Sequence, residues 1–342
     1  MAEMKNVGFY NFYNIYNNNR MFNPEINAPI GDDLLYPFHY LYRVASKKNI
    51  SLSTIDTRDL SSYDAIVFLD YPGRQNRYLK KLIDMKFENL YLFLFENDII
   101  KPDNWKKENY QYFRKVFTWR DDLVDNNKIF KFFLPNKIPD SIPSDISCKT
   151  KFCCLIAGNK KNTSPHELYS ERIRAIRWFE ENQPARFDLY GKGWDLTLPP
   201  LLSPVKPIFQ PIYPLLFPRF PSYRGAIASK HAILEHYKFS ICYENVRGVP
   251  GYITEKIFDC FFAGCIPIYL GAPNITQFIP EETFIDKRKF SNYSDLFNYL
   301  INLPDDEYLQ YLTAIEDFIC SDKIFPFGEE YFANLIINEV NS

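Results

Sequence analysis

The segment Lys238–Ile257 holds the residues best suited to chemistry on a phosphorylated ligand. It reads as an apolar strand that ends at Glu244–Asn245, a loop rich in glycine and proline, and a helix that opens with Thr254–Lys256. The amino end of a helix presents unpaired backbone N–H groups and a positive dipole, which suit a phosphate. Lys256 adds a positive charge, and Glu255 adds a carboxylate that can hold sugar hydroxyls. The segment therefore predicts a site for a nucleotide sugar, which carries phosphates and hydroxyls side by side.

An ordinary βαβ unit of an α/β protein is the alternative interpretation of this segment. The apolar residues Ile257, Phe258 and Phe261 have helical spacing and would face a core in either case. Glu255 and Lys256 would then be an ordinary exposed pair on a helix. The loop and the start of the helix distinguish the two interpretations, whereas the apolar residues do not.

Three pieces of the region carry a family resemblance, namely Tyr243–Asn245, Tyr252–Ile257 and Cys265–Gly271. Together they resemble the signature of the inverting α1,3-fucosyltransferases, glycosyltransferase family ten, of the soluble bacterial type. The resemblance extends more weakly from about Leu90 to the C-terminal helices. It implies the GT-B architecture, in which two doubly wound Rossmann-like α/β domains face each other across a cleft. It also implies transfer of fucose from GDP-fucose, with inversion, to the 3-hydroxyl of N-acetylglucosamine in a lactosamine-type glycan.

Glu96 is the predicted base of such a transfer. It follows the apolar strand Tyr91–Phe95, so its side chain emerges at the carboxyl end of that strand. A base must take a proton from the acceptor hydroxyl during the attack, because a sugar hydroxyl is a very weak acid. The pair Glu96–Asn97 resembles the family's Glu–Asn or Glu–Ser pair, to which the base is assigned. Two alternatives stay open: Glu96 caps the next helix or faces solvent, or Glu96 and Asp98 together bind a metal ion.

Arg172 is the predicted arginine of the donor site. It follows the strand Phe152–Ile156 on a predicted helix, and the resemblance makes it the arginine that contacts the pyrophosphate. A guanidinium can hold two phosphate oxygens at once. The alternative is a solvated basic helix, on which Arg174 and Arg177 occupy other faces. The chain departs from the family here, because Gly158–Asn159 stands where Ser–Asn is usual and the loop to the arginine is longer.

The resemblance assigns the remaining donor contacts. Lys256 should face phosphate, Tyr252 should form a hydrogen bond to the donor, and Glu255 should bind ribose or fucose hydroxyls. The other donor-binding positions are Asn159, Lys192 and Asn245. Lys192 lies between two glycines that permit a close backbone approach to a ligand. A plain tight turn is the alternative there.

Strands alternate with helices in both halves of the chain, which predicts two parallel sheets with crossover helices. We place an acceptor-binding domain at 1–145 and a GDP-fucose-binding domain at 150–330. Among the predicted helices are Trp105–Phe113 and Ile227–His236. An insert at 195–224 contains eight prolines between 199 and 221, too many for a helix or a central strand. We interpret the insert as an extended flap over the second domain, with a plain surface loop as the alternative.

The composition indicates which classes of binding partner to expect. The 342 residues carry a net charge of −2 without a long basic stretch, which makes nucleic acid an unexpected partner. The four histidines and seven cysteines are scattered, so we expect no metal requirement, although a divalent cation could stimulate. No apolar run approaches the roughly 18 residues of a membrane span. We expect a cytoplasmic enzyme, with association at the inner membrane face as a variant.

Two other functions remain open at this stage. One is a different nucleotide-sugar transferase on the same fold. The other is a catalytically inactive protein that binds a glycan or a nucleotide. The presence of Glu96 together with Arg172 and Lys256 disfavours the inactive protein, because binding alone does not need a base.

Overall fold

The computed structural model describes residues 4–26, 28, 32–143, 145–195 and 220–342. The first parallel sheet has the strand order β2–β1–β3–β4–β5–β6. Its strands are Lys5–Asn11 (β1), Ile50–Thr54 (β2), Ala65–Leu69 (β3), Leu90–Leu94 (β4), Lys115–Thr118 (β5) and Ile129–Lys131 (β6). Val7 pairs with Leu52 on one side and with Ala65 on the other. The strands β3 and β4 are buried along their whole length, which explains their continuous apolar sequences.

The second parallel sheet has the order β11–β10–β9–β7–β8. Its strands are Lys151–Ile156 (β7), Phe187–Tyr190 (β8), Tyr237–Tyr243 (β9), Ile266–Leu270 (β10) and Ile285–Asp286 (β11). In each sheet the chain starts in an inner strand, moves outward to one side and then crosses back to the other. The resulting crevices lie beyond the carboxyl ends of β1 and β3 and of β7 and β9, where ligands bind in open α/β sheets.

Helices connect the strands and cover the sheets. In the described residues they are Tyr36–Lys47 (α1), Arg77–Asp84 (α2), Tyr169–Asn182 (α3), His231–Leu234 (α4), Glu255–Phe262 (α5), Tyr293–Asn302 (α6), Asp305–Ile319 (α7) and Glu329–Asn341 (α8). The predicted architecture of two parallel-sheet α/β domains is confirmed.

The last helix was not predicted, and it returns to the first sheet. Phe332 and Ile336 of α8 are buried in the core that covers one face of that sheet. The hydroxyl of Tyr91 donates to the carbonyl of Glu339 at 2.9 Å, and Lys115 forms a salt bridge with the Glu339 carboxylate at 2.7 Å. The C-terminal end of the chain therefore ties the two sheets together.

Two predicted helices differ in the structure. The segment predicted as Trp105–Phe113 forms two 3₁₀ turns, Pro102–Trp105 and Lys107–Tyr112, with Lys106 extended between them. Asn109 donates from its side chain to the Asp103 carbonyl, a local bond that competes with α-helix formation.

The helix predicted at Ile227–His236 is limited to α4. Asp32 of the first domain accepts from the Ser229 hydroxyl at 3.0 Å and from the His231 N–H at 2.8 Å, which defines where α4 begins. The proline-rich part of the predicted flap, 196–219, lies outside the described residues, so that interpretation stays a prediction.

Candidate functional site

Glu96 lies at the carboxyl edge of the first sheet, just beyond β4. The buried carboxylate of Asp70, which follows β3, fixes the backbone there. Its Oδ1 accepts from the N–H groups of Phe95 at 2.7 Å and Glu96 at 3.0 Å and from the Asn104 amide at 2.6 Å. Burial raises the pKa of Asp70 to about 7 although these hydrogen bonds favour the charged form. The Glu96 side chain thus projects from a rigid strand end.

A tyrosine that sequence reasoning missed contacts the Glu96 carboxylate. The Tyr13 hydroxyl donates to Glu96 Oε1 at 2.5 Å, and the Tyr13 ring packs edge-on against Phe12 with 5.2 Å between centroids. Both rings are at least 40% exposed, and the ammonium of Lys101 lies 4.2 Å from the centroid of Phe12. The signal was available, because these aromatic residues follow β1 and so reach the same sheet edge as Glu96.

Asn97, rather than Glu96, caps the turn that follows β4. Its Oδ1 accepts from the N–H groups of Ile99 at 3.1 Å and Ile100 at 3.2 Å. Its amide donates to the Tyr252 hydroxyl at 2.6 Å. The capping role considered for Glu96 therefore belongs to Asn97. The Glu96 carboxylate makes no cap and accepts instead from the Tyr13 hydroxyl.

The start of α5 holds a compact charged cluster. Glu244 is fully buried, and its two oxygens accept from the N–H and the hydroxyl of Thr254, each at 2.8 Å. Lys256 Nζ lies 3.1 Å from Glu244 Oε2 and 2.8 Å from the Thr254 hydroxyl oxygen. Burial opposes the charge on Lys256, but Glu244 and Glu255 outweigh it and raise the Lys256 pKa above its ordinary value. The ammonium is therefore permanently charged at the amino end of the helix.

A second lysine, which the sequence did not single out, joins this cluster. Lys230 Nζ lies 2.5 Å from Asp259 and 3.7 Å from Glu255. Glu255 is also 3.7 Å from Lys256, and its side chain remains 40% exposed. Burial works against the charged carboxylate of Glu255, yet the two lysines lower its pKa to about 2. Glu255 and Lys256 thus belong to a network and are not an ordinary exposed pair.

Arg172 is buried at the crevice between β7 and β9. Its Nη2 donates to the carbonyls of Tyr243 at 2.6 Å and Glu244 at 2.9 Å and to the Asn245 side-chain oxygen at 3.1 Å. By contrast, Arg174 is exposed and pairs with Glu171 on its own helix. Arg172 therefore does not belong to a solvated basic face; it fixes the end of β9 and brings a positive charge to the crevice.

Tyr252 connects the two domains. Its hydroxyl oxygen accepts from Asn97 at 2.6 Å and from Asn245 at 3.3 Å, and its ring lies 4.5 Å from that of Trp119. The residue is 3% exposed, and burial raises its pKa well above the ordinary value, so the phenol stays neutral. The Tyr252 hydroxyl therefore joins residues of both domains. Its predicted hydrogen bond to the donor stays a prediction.

Asn159 and Lys192 lie in two loops that pack on each other beyond β7 and β8. The Asn159 N–H donates to the Lys192 carbonyl at 2.9 Å, and the Asn159 amide donates to the Gly193 carbonyl at 2.8 Å. Gly191 has φ +124°, and a Cβ there would lie 2.0 Å from the Ala157 carbonyl oxygen. Gly191 is therefore required by this loop packing, while donor binding by Asn159 and Lys192 stays a prediction.

The loop that precedes α5 docks on the first domain through Gly251. The Asn274 side chain accepts from the Gly251 N–H at 2.9 Å and donates to Asp121 at 2.8 Å, while Lys131 holds Asp121 at 2.6 Å. Gly251 has φ +79°, and a Cβ would lie 2.2 Å from the Trp119 carbonyl oxygen. This contact holds the backbone next to Tyr252 against the first domain.

Gly251→Ala should destabilise the protein more than Gly248→Ala. Gly248 lies in the same loop with φ +73° but has no atom within 4 Å of a Cβ, so its substitution adds only backbone strain of roughly 1–2 kcal/mol. Gly251→Ala adds the same strain plus a clash with backbone. Thermal melts of the two variants should show the larger fall for Gly251→Ala, and equal falls would contradict the close docking of the loop.

Within the described residues, no three or more histidine, cysteine, aspartate or glutamate side chains form a group that could hold a metal ion. In the same residues, no helix combines the length and the apolar character needed to cross a membrane.

Comparison with known proteins decides the family. The model of the glycosyltransferase family 10 (fucosyltransferase) C-terminal region matches residues 146–325, more than half of the chain and all of the second sheet. The chain belongs to glycosyltransferase family 10. The family match includes the charged cluster at α5 and Arg172, whereas Glu96 lies outside it.

Similar curated proteins of the family match a short segment. The α-(1,3)-fucosyltransferase FucT of Helicobacter pylori is 36% identical over 74 residues, 22% of this chain and 15% of that protein. The α-(1,4)-fucosyltransferase of Arabidopsis thaliana is 41% identical over 76 residues, 22% of this chain and 19% of that protein. The matched segment is thus less than a fifth of either relative.

Solved structures extend the similarity of fold to the whole chain. A crystal structure of an α1,3-fucosyltransferase matches with a TM-score of 0.53 at 16% identity and covers 99% of this chain and 90% of that one. An α-glucosyltransferase in complex with UDP-glucose and DNA matches with a TM-score of 0.57 at 11% identity and full coverage of both chains. The architecture is therefore GT-B, and it is shared by enzymes with different sugar donors.

Proposed function

We propose that this protein transfers fucose from GDP-fucose, with inversion, to a hydroxyl of a glycan acceptor. The observation that carries the proposal is the charged cluster at the amino end of α5, which lies within the family 10 match. Tyr252, in the loop before this helix, accepts a hydrogen bond from Asn97, the neighbour of Glu96 in the first domain. Lys256, Glu255 and Arg172 supply the donor side, and Glu96 supplies a carboxylate on the other domain. Such a division suits a two-substrate reaction in a cleft.

The proposed chemistry assigns one task to each side. Glu96 accepts the proton of the acceptor hydroxyl as its oxygen forms a bond to the anomeric carbon. The bond from that carbon to the β-phosphate oxygen breaks on the opposite face, which inverts the configuration. Lys256, the amino end of α5 and the nearby Arg172 stabilise the negative charge that grows on the departing GDP. No metal ion is needed in this scheme, because these positive groups replace it.

The acceptor is proposed to be the 3-hydroxyl of N-acetylglucosamine in a lactosamine-type glycan. The exposed rings of Phe12 and Tyr13 support a sugar acceptor, because Tyr13 contacts Glu96, Phe12 packs on Tyr13, and both present apolar surface to which the face of a pyranose ring can pack. The relatives differ in linkage, since one is named an α-(1,3)- and another an α-(1,4)-fucosyltransferase. A cytoplasmic location, with association at the inner membrane face as a variant, is likewise proposed and rests on the sequence.

A different nucleotide-sugar donor is the second candidate, because structural neighbours with this fold are complexes with UDP-glucose. Ligand-induced stabilisation separates the two. A ligand that binds only the folded state raises the melting temperature, and at equal concentration the tighter ligand raises it more. We expect GDP to raise the melting temperature more than UDP or ADP at equal concentration. An equal or larger shift with UDP would overturn the assignment of the donor.

A further inference from the structure

The hydroxyl of Tyr169 is an exception among the buried polar groups of the second domain. Tyr169 is the first residue of α3 and is only 4% exposed. Within the described part of the chain, its hydroxyl oxygen is buried without any hydrogen-bond partner. A buried polar group without a partner costs free energy and calls for an explanation, such as a ligand that completes it.

The surroundings of Tyr169 are those of the proposed donor site. The guanidinium carbon of Arg172 lies 5.2 Å from the centroid of the Tyr169 ring. The N–H of Leu168, the residue before Tyr169, donates to the Asn245 carbonyl just beyond β9 at 2.9 Å. Tyr169 therefore lies beside Arg172 and the end of β9, on the donor side of the proposed site.

The guanidinium of Arg172 beside the ring favours an acceptor with negative charge. The amino end of α3, where Tyr169 lies, adds little to this, because the Glu167 carboxylate accepts from the Ser170 N–H at 2.8 Å. Burial raises the pKa of the phenol, the two carboxylates of Glu96 and Glu167 add to this, and Arg172 and Lys256 oppose it. The hydroxyl consequently remains protonated at neutral pH and is available as a donor.

We propose that the Tyr169 hydroxyl donates a hydrogen bond to a phosphate oxygen of the bound nucleoside diphosphate. The inference rests on the proposed function, because it takes the ligand of this crevice to be a nucleotide. It adds a neutral donor, preorganised by burial, to the positive charges of Arg172 and Lys256. The hydroxyl then gains its missing partner only in the complex.

Tyr169→Phe tests the inference, because it removes one oxygen and leaves the ring. GDP and inorganic pyrophosphate are titrated into the wild type and the variant by calorimetry, and both unliganded proteins are melted. A hydrogen bond to a charged acceptor is worth about 1.5–3 kcal/mol, so the Kd for GDP should rise about tenfold or more. Pyrophosphate should lose affinity in the same proportion. The unliganded melting temperature should stay the same or rise, since the hydroxyl has no partner to lose.

Tyr308→Phe is the matched control. Tyr308 is 1% exposed, lies in α7 outside the proposed site, and donates to the Lys238 carbonyl at 3.3 Å. This variant should melt lower and bind GDP as the wild type does. Unchanged GDP affinity in Tyr169→Phe, or a fall in its unliganded melting temperature like that of the control, would overturn the inference. A wild type that binds no GDP would instead overturn the proposed function on which it rests.

Discussion

Replacing Glu96 with glutamine should lower the rate of fucose transfer about 10²–10⁴-fold while GDP binding stays unchanged. Glutamine keeps the backbone bond to Asp70 and an oxygen that can accept from Tyr13, so the local structure should persist. It cannot take the proton of the acceptor hydroxyl. Glu96 also lies on the first domain, away from the cluster assigned to phosphate. Initial rates with GDP-fucose, together with GDP titration by calorimetry, measure the two quantities separately.

Asp98→Asn is the control for Glu96→Gln, because Asp98 is the nearby carboxylate of the alternative metal site. The proposed mechanism predicts a rate close to that of the wild type. If Glu96→Gln keeps more than about a third of the wild-type rate, which is far short of the loss expected for a base, Glu96 is not the base. Asp121 and Asp122 would be weak replacements, since Lys131 and Arg120 already pair with them.

Lys256→Ala should weaken both GDP binding and transfer. The ammonium would contact phosphate in the bound state and more strongly as GDP departs, so loss of affinity of about ten- to a hundredfold is expected for one charged hydrogen bond. The transfer rate at saturating GDP-fucose should fall as well. Calorimetry with GDP and initial rates at saturating donor measure the two effects. Glu96→Gln and Lys256→Ala therefore give different signatures.

Lys256→Ala should lower the stability of the folded protein as well as its affinity for GDP, so the two effects must be measured separately. Removal of Lys256 leaves the fully buried Glu244 without its cation, and breaking a buried pair in this way typically costs about 3–5 kcal/mol. The double variant Glu244→Gln/Lys256→Ala removes that stranded charge, so it should recover most of the stability yet still bind GDP weakly. Recovery of GDP affinity in the double variant would contradict a direct contact between Lys256 and phosphate.

The second sheet and α5 were predicted well from the sequence, because their apolar residues follow the regular spacing of strands and of a helix. The end of β9 and the start of α5 carry local signals, an apolar run and a Thr254 cap, that need no tertiary information. The helix α8 was missed because its apolar face packs on a sheet that lies over 200 residues earlier in the chain. The segment Trp105–Phe113 was assigned the wrong type, because local side-chain bonds override its helical pattern.

The charged residues of the site were easier to predict than their partners. Glu255 and Lys256 stand at a helix start, where their roles follow from the position alone. Lys230 was missed because it belongs to no motif, and Tyr13 was missed although its place directly after β1 indicated the sheet edge that it reaches. Tyr252 was recognised, but its burial between Asn97, Asn245 and Trp119 depends on how the two domains meet. Single-sequence patterns do not contain that information.

The most direct test of the proposed function is the identity of the reaction product. The protein is incubated with GDP-fucose and N-acetyllactosamine in the presence of EDTA, and the product is analysed by NMR for linkage and anomeric configuration. The proposed mechanism predicts release of GDP and a fucose on the 3-hydroxyl of N-acetylglucosamine, with its configuration inverted relative to the donor. A product of retained configuration, activity only after manganese is added, or transfer from a UDP-sugar but not from GDP-fucose would contradict it.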